Sequence, residues 1–328
     1  MRLATYRNLS PGASGDRLGV LLSDGRLADL RLCYASYLAE REGEGGRPYA
    51  MAHARIPRDM REFLLGGDSA LAAAGKALGH AEEALKAGRM PAGPGGEAAA
   101  LAAGQYRLRA PVANPGKFLH TGLNSIKHVE HTGNKRPPEV PGAPRFNTSL
   151  VGHEEPVVYP RQTQMLDYEV EVGVVIGRRC KDVPRERAFG VIAGYTVYND
   201  ITARDIQRDA ARGGVFLGKN FDTTNPLGPF LVTADEVPSP ETLRVVCRVN
   251  GQTRQDERLT DMIFKIPDLV AFYSQMTLEP GDIISSGTFS GVAIEQADPA
   301  PYLLKPGDVV ECEVERLGVL RNPIVAGG

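Results

Sequence analysis

The chain has 328 residues, more than one compact domain usually contains, so its length predicts a large domain with a smaller one beside it. Hydrophobic residues make up 42% and charged residues 24%, the balance of a soluble globular protein. The 38 basic and 40 acidic residues nearly cancel without forming a long block of one sign, which argues against nucleic acid or an anionic membrane as a partner. The four cysteines follow no metal or redox spacing, and no apolar run has the length of a signal peptide or a membrane span, so we expect a cytoplasmic protein.

The N-terminal third combines strand and helix patterns. Residues 1–32 contain short alternating runs, and Asp24-Gly25 is typical of a hairpin turn between two of them. From Asp59 to Lys86, large apolar residues recur at helical intervals among alanines, which predicts a helix. The segment GRMPAGPGG, residues 88–96, interrupts regular structure and is typical of a linker. We therefore expect a small α+β accessory domain over residues 1–105.

The remainder of the chain is dominated by short β-type runs. Pro, Gly, Asp and Asn separate these runs, and helical patterns are confined to a few segments, notably Arg185–Phe189 and Asp268–Gln275. This spacing favours a mixed α+β, β-rich fold, a barrel or roll with helical decoration, over a parallel sheet with regular crossover helices. We expect this second domain over residues 106–328.

The run LDYEVEVGVVIG, residues 166–177, places two glutamates in an otherwise apolar strand. Glu169 and Glu171 share one face of such a strand because successive side chains alternate. Either this face belongs to a solvated edge strand, or the two acids point into a cleft and bind a divalent cation. Asp200, at the end of the strand pattern GYTVYND, is a candidate third oxygen ligand, although an aspartate there is also typical of a turn.

A glycine-rich segment, GGVFLGK, matches the spacing of a phosphate-binding loop. Asn220 stands where that motif needs Ser or Thr, and no strand leads into the segment, so nucleotide binding is rejected. Lys219 is either a solvated surface lysine or an isolated cation that holds an anionic substrate oxygen.

Three of the six histidines lie in HTGLNSIKHVEH, residues 120–131. His128 and Glu130 could form a water-activating pair if this segment folds over a pocket. His128 and His131 could instead bind zinc, and an exposed loop without a role is a further alternative. Near the C-terminus, SSGTFSG offers hydroxyl and backbone donors that could bind a carboxylate, or it forms an ordinary turn.

Five motifs in chain order resemble the fumarylacetoacetate hydrolase family: LDYEVEVGVVIG, GYTVYNDITARDIQ, GKNFDTTNPLGPFLVT, VNGQTRQDERLTDMIF and LEPGDIISSGTFSGV. The resemblance covers about residues 110–325. It implies a mixed β-roll catalytic domain, usually a homodimer, with Mg²⁺ or Mn²⁺, or Ca²⁺, as the cofactor. It assigns the metal to Glu169, Glu171 and Asp200, and the binding of an oxo acid to Arg204, Gln207, Lys219 and Thr288.

Departures from the family pattern concern the lid and the substrate pocket. Many relatives have G-L-N-Y-x-x-H-x-x-E, whereas this chain has Ser125 in the tyrosine position and His131 in the glutamate position. The resemblance keeps His128 as the general base and leaves open whether Glu130 or His131 orients it. The segment RFNTSLVG, residues 145–152, lacks a lysine that is often found there.

The resemblance implies a metal-dependent hydrolase that cleaves a C–C bond in an acylpyruvate-like or other dioxo acid, in the catabolism of aromatic compounds or sugar acids. In this scheme Lys219 adds positive charge at the developing oxyanion. Decarboxylation, isomerisation or hydration of a 2-oxo acid at the same site is the alternative, because the departures affect water attack more than proton transfer. A third hypothesis is an oxo-acid binding protein without activity.

Overall fold

The computed structural model describes residues 1–43 and 45–327. Its α-helices are α1 (Leu30–Arg41), α2 (Pro48–Arg55), α3 (Met60–Leu65), α4 (Gly67–Lys86), α5 (Ile126–His131), α6 (Arg204–Gln207), α7 (Gly214–Gly218) and α8 (Ile266–Tyr273). The first strands are β1 (Arg2–Asn8), β2 (Asp16–Leu21), β3 (Leu27–Asp29), β4 (Ala100–Leu101), β5 (Tyr106–Leu108), β6 (Phe118–Thr121), β7 (Gly142–Arg145), β8 (Leu150–Val151), β9 (Val157–Val158) and β10 (Leu166–Asp167). The others are β11 (Val170–Ile176), β12 (Ile192–Asn199), β13 (Thr202–Ala203), β14 (Asn225–Thr233), β15 (Arg244–Val249), β16 (Gln252–Arg258), β17 (Ile283–Ser285), β18 (Val309–Val314) and β19 (Gly318–Val325).

Mixed sheets organise these strands. The largest has the order β4-β3-β2-β1-β14-β12-β11-β17-β6-β7, with β5 beside β1 and β8 beside β14. A second sheet has the order β16-β15-β18-β19-β9, and β10 pairs with β13. Most neighbours are antiparallel, but β6 runs parallel to β17, β8 to β14 and β9 to β19. This arrangement is the mixed, β-rich fold that the sequence predicts.

Strand β11, which carries the second glutamate of the Glu-x-Glu pair, lies between β12 and β17 inside the large sheet. Its residues alternate as predicted: Val172 and Val174 belong to the core between the two large sheets, whereas Val175 belongs to the core under the N-terminal helices. Every residue of the strand is buried. The solvated edge strand considered above is therefore wrong, because both faces of β11 are covered.

Local signals account for much of the N-terminal third. The hairpin of β2 and β3 turns at Gly25, whose φ of 85° lies in the left-handed region that glycine adopts readily. The single helix predicted from Asp59 to Lys86 is divided into α3 and α4, because Gly67 has a φ of 55°. Helix α1, which the sequence did not predict, begins after Asp29, whose carboxylate accepts the N–H of Leu32 at 2.9 Å.

The N-terminal strands continue the sheet of the large domain. In the antiparallel pair of β1 and β14, Arg2 lies opposite Val232 and Leu3 opposite Leu231. Division into domains at residues 105 and 106 stays a prediction, although the two parts share this sheet. In the described ranges, none of the helices has both the length and the apolar character that crossing a bilayer requires.

Candidate active site

Four buried carboxylates meet where the ends of three strands come together. Asp167 ends β10, Glu169 and Glu171 lie at the start of β11, and Asp200 follows β12. The N–H of Asp200 donates to the carbonyl of Glu169 at 2.9 Å, which fixes the end of β12 against the start of β11. The structure thus brings Asp200 to the Glu-x-Glu pair, where the sequence predicts it.

Two predicted substrate-binding cations neutralise part of this charge. Arg204 Nε donates to Asp167 at 2.9 Å, and Arg204 Nη2 lies 2.6 Å from Glu169 Oε1. Lys219 Nζ lies 2.8 Å from Glu169 Oε2 and also donates to Asp200. Lys219 is 2% exposed, so it is not the solvated surface lysine of the alternative interpretation. Burial would raise the pKa of Glu169, but Lys219 and Arg204 hold it below its usual value.

A third cation, Arg145, was missed by the sequence analysis. Its Nε and Nη2 donate to the two oxygens of Asp200 at 3.0 and 2.9 Å, a bidentate pair that is fully buried. Burial would raise the pKa of Asp200, but Arg145, Lys219 and His120 hold it well below its usual value. Arg145 opens RFNTSLVG, the segment that lacks the expected lysine. The sequence contained a signal for this role, because Arg145 lies in the segment where a lysine is expected and a guanidinium carries the same charge as an ammonium.

Glu171 is the carboxylate of this cluster that forms no ion pair with the described residues. One oxygen accepts the N–H of Gly287 at 3.1 Å, and Oε1 is buried without a hydrogen-bond partner among the described residues. Burial, and then repulsion from Asp200 and Glu169, raises the pKa of Glu171 well above its usual value. His120 Nδ1 is also buried without a hydrogen bond, 3.0 Å from Asp200 Oδ2 in poor alignment.

These orphaned atoms fit a divalent cation. His120, Glu171 and Asp200 each offer one donor atom, and the three atoms lie within 4.8 Å of one another. Burial, and then Arg145, lowers the pKa of His120 to about 4, so the ring is neutral, as a metal ligand must be. Two carboxylates and one imidazole suit Mn²⁺ better than Mg²⁺ or Ca²⁺, which prefer oxygen alone. This set differs from the predicted metal ligands. His120 is added, and Glu169 is left out because Arg204 and Lys219 bind its carboxylate.

A cavity of about 540 Å³ adjoins this cluster. The predicted site residues that line it are His128, Glu169, Arg204, Gln207, Lys219 and Thr288. Gln207 Oε1 accepts a hydrogen bond from Arg204 at 3.1 Å, and Thr288 Oγ1 donates to the carbonyl of Val170 at 3.2 Å. The structure therefore gathers the predicted substrate-binding residues and one predicted metal ligand, Glu169, around one space.

His128 is paired with Glu295, a residue that the sequence analysis did not single out. His128 Nδ1 contacts Glu295 Oε1, and Glu295 Oε2 accepts from Ser290 Oγ at 2.8 Å and from the N–H of Gly291 at 2.6 Å. Burial would raise the pKa of Glu295, but these hydrogen bonds hold it below its usual value, so it is a carboxylate. A carboxylate at Nδ1 assigns the proton to that nitrogen and leaves Nε2 as the basic atom.

The structure does not bring Glu130 to His128. Glu130 is exposed on α5, and residues two positions apart on a helix do not face each other. His131 Nδ1 contacts Ser290 Oγ at 2.7 Å, 3.6 Å from Glu295. Among the described residues, the group placed to hold a metal is His120, Glu171 and Asp200, so the structure does not support a zinc site at His128 and His131.

A β-roll whose buried acids and cations surround a cavity defines a small-molecule enzyme site of the metal-binding type. The family model described as "Fumarylacetoacetate (FAA) hydrolase C-terminal" matches residues 117–325, and the chain belongs to this family, as its motifs predict. The human protein named "Oxaloacetate tautomerase FAHD2A, mitochondrial" is 39% identical over 271 residues, 82% of this chain and 81% of the relative.

Solved structures with the same fold belong to proteins that are named for different reactions. Maleylpyruvate hydrolase from Sphingobium sp. SYK-6, in complex with manganese(II) and pyruvate, is 27% identical, with a TM-score of 0.69 over 100% of both chains. A structure described as 5-carboxymethyl-2-hydroxymuconate delta-isomerase from Mycobacterium smegmatis is 28% identical, with a TM-score of 0.68 over 100% of both chains. The fold and family are thereby established, and the relatives include a tautomerase, a hydrolase and an isomerase.

Proposed function

We propose that the protein catalyses keto–enol tautomerisation of a 2-oxo acid, with a divalent cation held by His120, Glu171 and Asp200. The observation that carries the proposal is one cavity lined both by His128, whose Nε2 has no hydrogen-bond partner among the described residues, and by cations at the carboxylate cluster. Tautomerisation moves one proton between carbon 3 and the 2-oxo oxygen. It therefore needs a base and a place for negative charge, and no further reactant.

Charge balance supports an anionic substrate beside a metal. When Glu171 is ionised, as a metal ligand is, the four buried carboxylates face three basic side chains among the described residues, Arg145, Arg204 and Lys219, which leaves one negative charge uncompensated. A divalent cation changes the net charge of the cluster from one negative to one positive. The carboxylate of a bound 2-oxo acid then returns the net charge to zero. The same charges disfavour a neutral substrate, because the metal-bound site would then keep a buried net positive charge.

Residues on two walls of the cavity perform different parts of the reaction. A bound divalent cation supplies Lewis-acid stabilisation of the enolate oxygen. Lys219 adds a positive charge close to the same oxygen, and Arg204 with Gln207 orients the substrate. His128 Nε2 accepts the proton from carbon 3, and Glu295 stabilises the imidazolium that results. The imidazolium then releases its proton to solvent and the enolate oxygen takes one from solvent, which completes the enol. The reverse sequence gives the keto form.

Hydrolysis of a C–C bond in an acylpyruvate-like acid is the second candidate. The His128–Glu295 pair favours it, because the same imidazole can take a proton from a water molecule that attacks the carbonyl at carbon 4. The water oxygen then bonds to carbon 4, the bond between carbons 3 and 4 breaks, and carbon 3 gains a proton. The likeness to maleylpyruvate hydrolase supports this candidate, as the human relative supports tautomerisation.

The two reactions are separated by one set of assays on protein loaded with Mn²⁺ or Mg²⁺. Ultraviolet absorbance follows the loss of enol from oxaloacetate, and mass spectrometry detects pyruvate and a second acid released from acylpyruvates. We expect acceleration of the first reaction above a blank with metal alone, and a loss of about 10²- to 10⁴-fold in H128Q. Acid release without enol conversion would establish the second candidate, and neither reaction would reject both.

A further inference from the structure

Arg208 lines the same cavity as Arg204 and Lys219, but its charge is not balanced. Arg204 and Lys219 are both bound to buried carboxylates. Arg208 is exposed and forms no ion pair with any described residue. Its neighbour Arg212 differs, since it pairs with Asp205 at 3.3 Å. Among the described residues that line the cavity, Arg208 is thus the one arginine available to an anion.

Helix geometry places Arg208 on the same side as the substrate-binding residues. The N–H of Arg208 donates to the carbonyl of Arg204 at 3.1 Å, so the turn of α6 continues through residue 208. Residues four apart on a helix share a face and are separated by about 6 Å along the axis. A ligand that is held at Arg204 and extends along α6 therefore reaches Arg208.

The acidic residues of the cavity do not compete for this arginine. Among the described residues that line the cavity, Glu169 is the one carboxylate, and Arg204 and Lys219 neutralise it. Val215 and Ile294 supply apolar wall. The cavity therefore combines a polar end for the 2-oxo acid with a second, separate positive charge.

We propose that Arg208 is the residue that binds the second carboxylate when the substrate is a 2-oxo dicarboxylic acid, and that it sets the preference of the site for a diacid over a monoacid. The assignment rests on the proposed function for the position of the first carboxylate. A guanidinium binds a carboxylate through two parallel hydrogen bonds, which selects the diacid over a monoacid of equal length. Arg208 is then a specificity-determining residue, separate from the groups that transfer the proton.

Binding measurements test this assignment without requiring turnover. We would titrate 2-oxoglutarate and 2-oxopentanoate, which differ in the terminal carboxylate, into Mn²⁺-loaded protein by calorimetry. Wild type should prefer the diacid by about 10-fold, the effect of one charged hydrogen-bonded pair. R208Q should abolish the preference, R208K should keep part of it, and R212Q, the matched control on the next turn, should retain all of it.

The possible outcomes separate this proposal from the proposed function. If the protein has no tautomerase activity but its preference for the diacid still depends on Arg208, the proposed function is rejected and the assignment of Arg208 stands. Absence of a preference in wild type, or equal weakening of both ligands by R208Q, would overturn the assignment. With oxaloacetate as substrate, R208Q should raise KM about 10-fold while kcat changes by less than about 2-fold, because binding and not proton transfer is affected.

Discussion

At the scale of single residues, the pairing of His128 with Glu295 decides how the base works. A neutral amide in place of Glu295 cannot stabilise an imidazolium, although it can still accept a hydrogen bond. We therefore expect E295Q to lower kcat for tautomerisation by about 10²- to 10³-fold. The measurement is steady-state kinetics on metal-loaded protein, with a thermal melt to verify that the variant is folded.

E130Q is the matched control for this prediction. Glu130 is exposed on α5, so its amide variant should keep kcat within about 2-fold of wild type. If E130Q lost activity and E295Q did not, the pairing predicted from the sequence would be right and the geometry described here wrong for the active enzyme.

The same comparison shows what residue spacing can predict. Glu169, Glu171 and Asp200 were predictable because strand alternation and a strand end place them together. Glu295 was not, because it meets His128 across 167 positions of sequence and occurs in no local motif. Arg145 was missed for a different reason: it lies in a recognised segment, but an arginine there supplies the charge expected of a lysine.

Metal affinity is a second test at the residue scale. The orphaned oxygen of Glu171 and nitrogen of His120 predict that both are ligands, so E171Q and H120N should each weaken Mn²⁺ binding about 10- to 100-fold or more. Calorimetric titration of metal-stripped protein measures this effect. Exposed Glu154 provides a control, since E154Q should bind as wild type does. Undiminished affinity in H120N would remove the histidine from the ligand set.

At the scale of elements, Asp282 joins the turn before β17 to the start of β6. This buried carboxylate accepts the N–H of Lys117 at 2.8 Å, the Lys117 ammonium at 2.6 Å and the N–H of Glu279 at 2.8 Å. Removing it leaves three partly buried donors without their partner. We expect D282A to lower the free energy of unfolding by about 3 kcal/mol.

Urea denaturation measures this loss, and Asp68 supplies the comparison. Asp68 also pairs with a basic side chain, that of Arg178, but Asp68 is 78% exposed, so water replaces the interaction when the pair is lost. D68A should therefore change the free energy of unfolding by less than about 0.5 kcal/mol. Equal losses in both variants would mean that burial does not set the strength of these pairs.

Elements with a local signal were predictable, and their long-range pairings were not. The alternation in β11 and the Asp24-Gly25 turn follow from neighbouring residues. The pairing of β1 with β14 joins Leu3 to Leu231, and no pattern in either segment specifies the other as its partner. The family resemblance supplied the β-roll as a whole, because its motifs carry information about tertiary structure that periodicity lacks.

At the scale of the whole molecule, exposed apolar side chains support the predicted homodimer. Helix α7 presents Val215, Phe216 and Leu217 to solvent, and Phe216 packs edge-to-face on exposed Phe146 with ring centroids 5.4 Å apart. Soluble monomers rarely leave such contiguous apolar groups uncovered. A second copy of the chain that covers this surface would also approach the cavity, since Val215 lines it.

We therefore expect light scattering coupled to size exclusion to give twice the 35.3 kDa mass of one chain. F216E places a charge in the covered surface and should shift the mass to that of a monomer, because an unpaired buried charge costs several kcal/mol. V319E, at an exposed valine elsewhere, should leave the mass unchanged. A wild-type monomer would contradict the homodimer, and a dimer that survives F216E would place the interface on another surface.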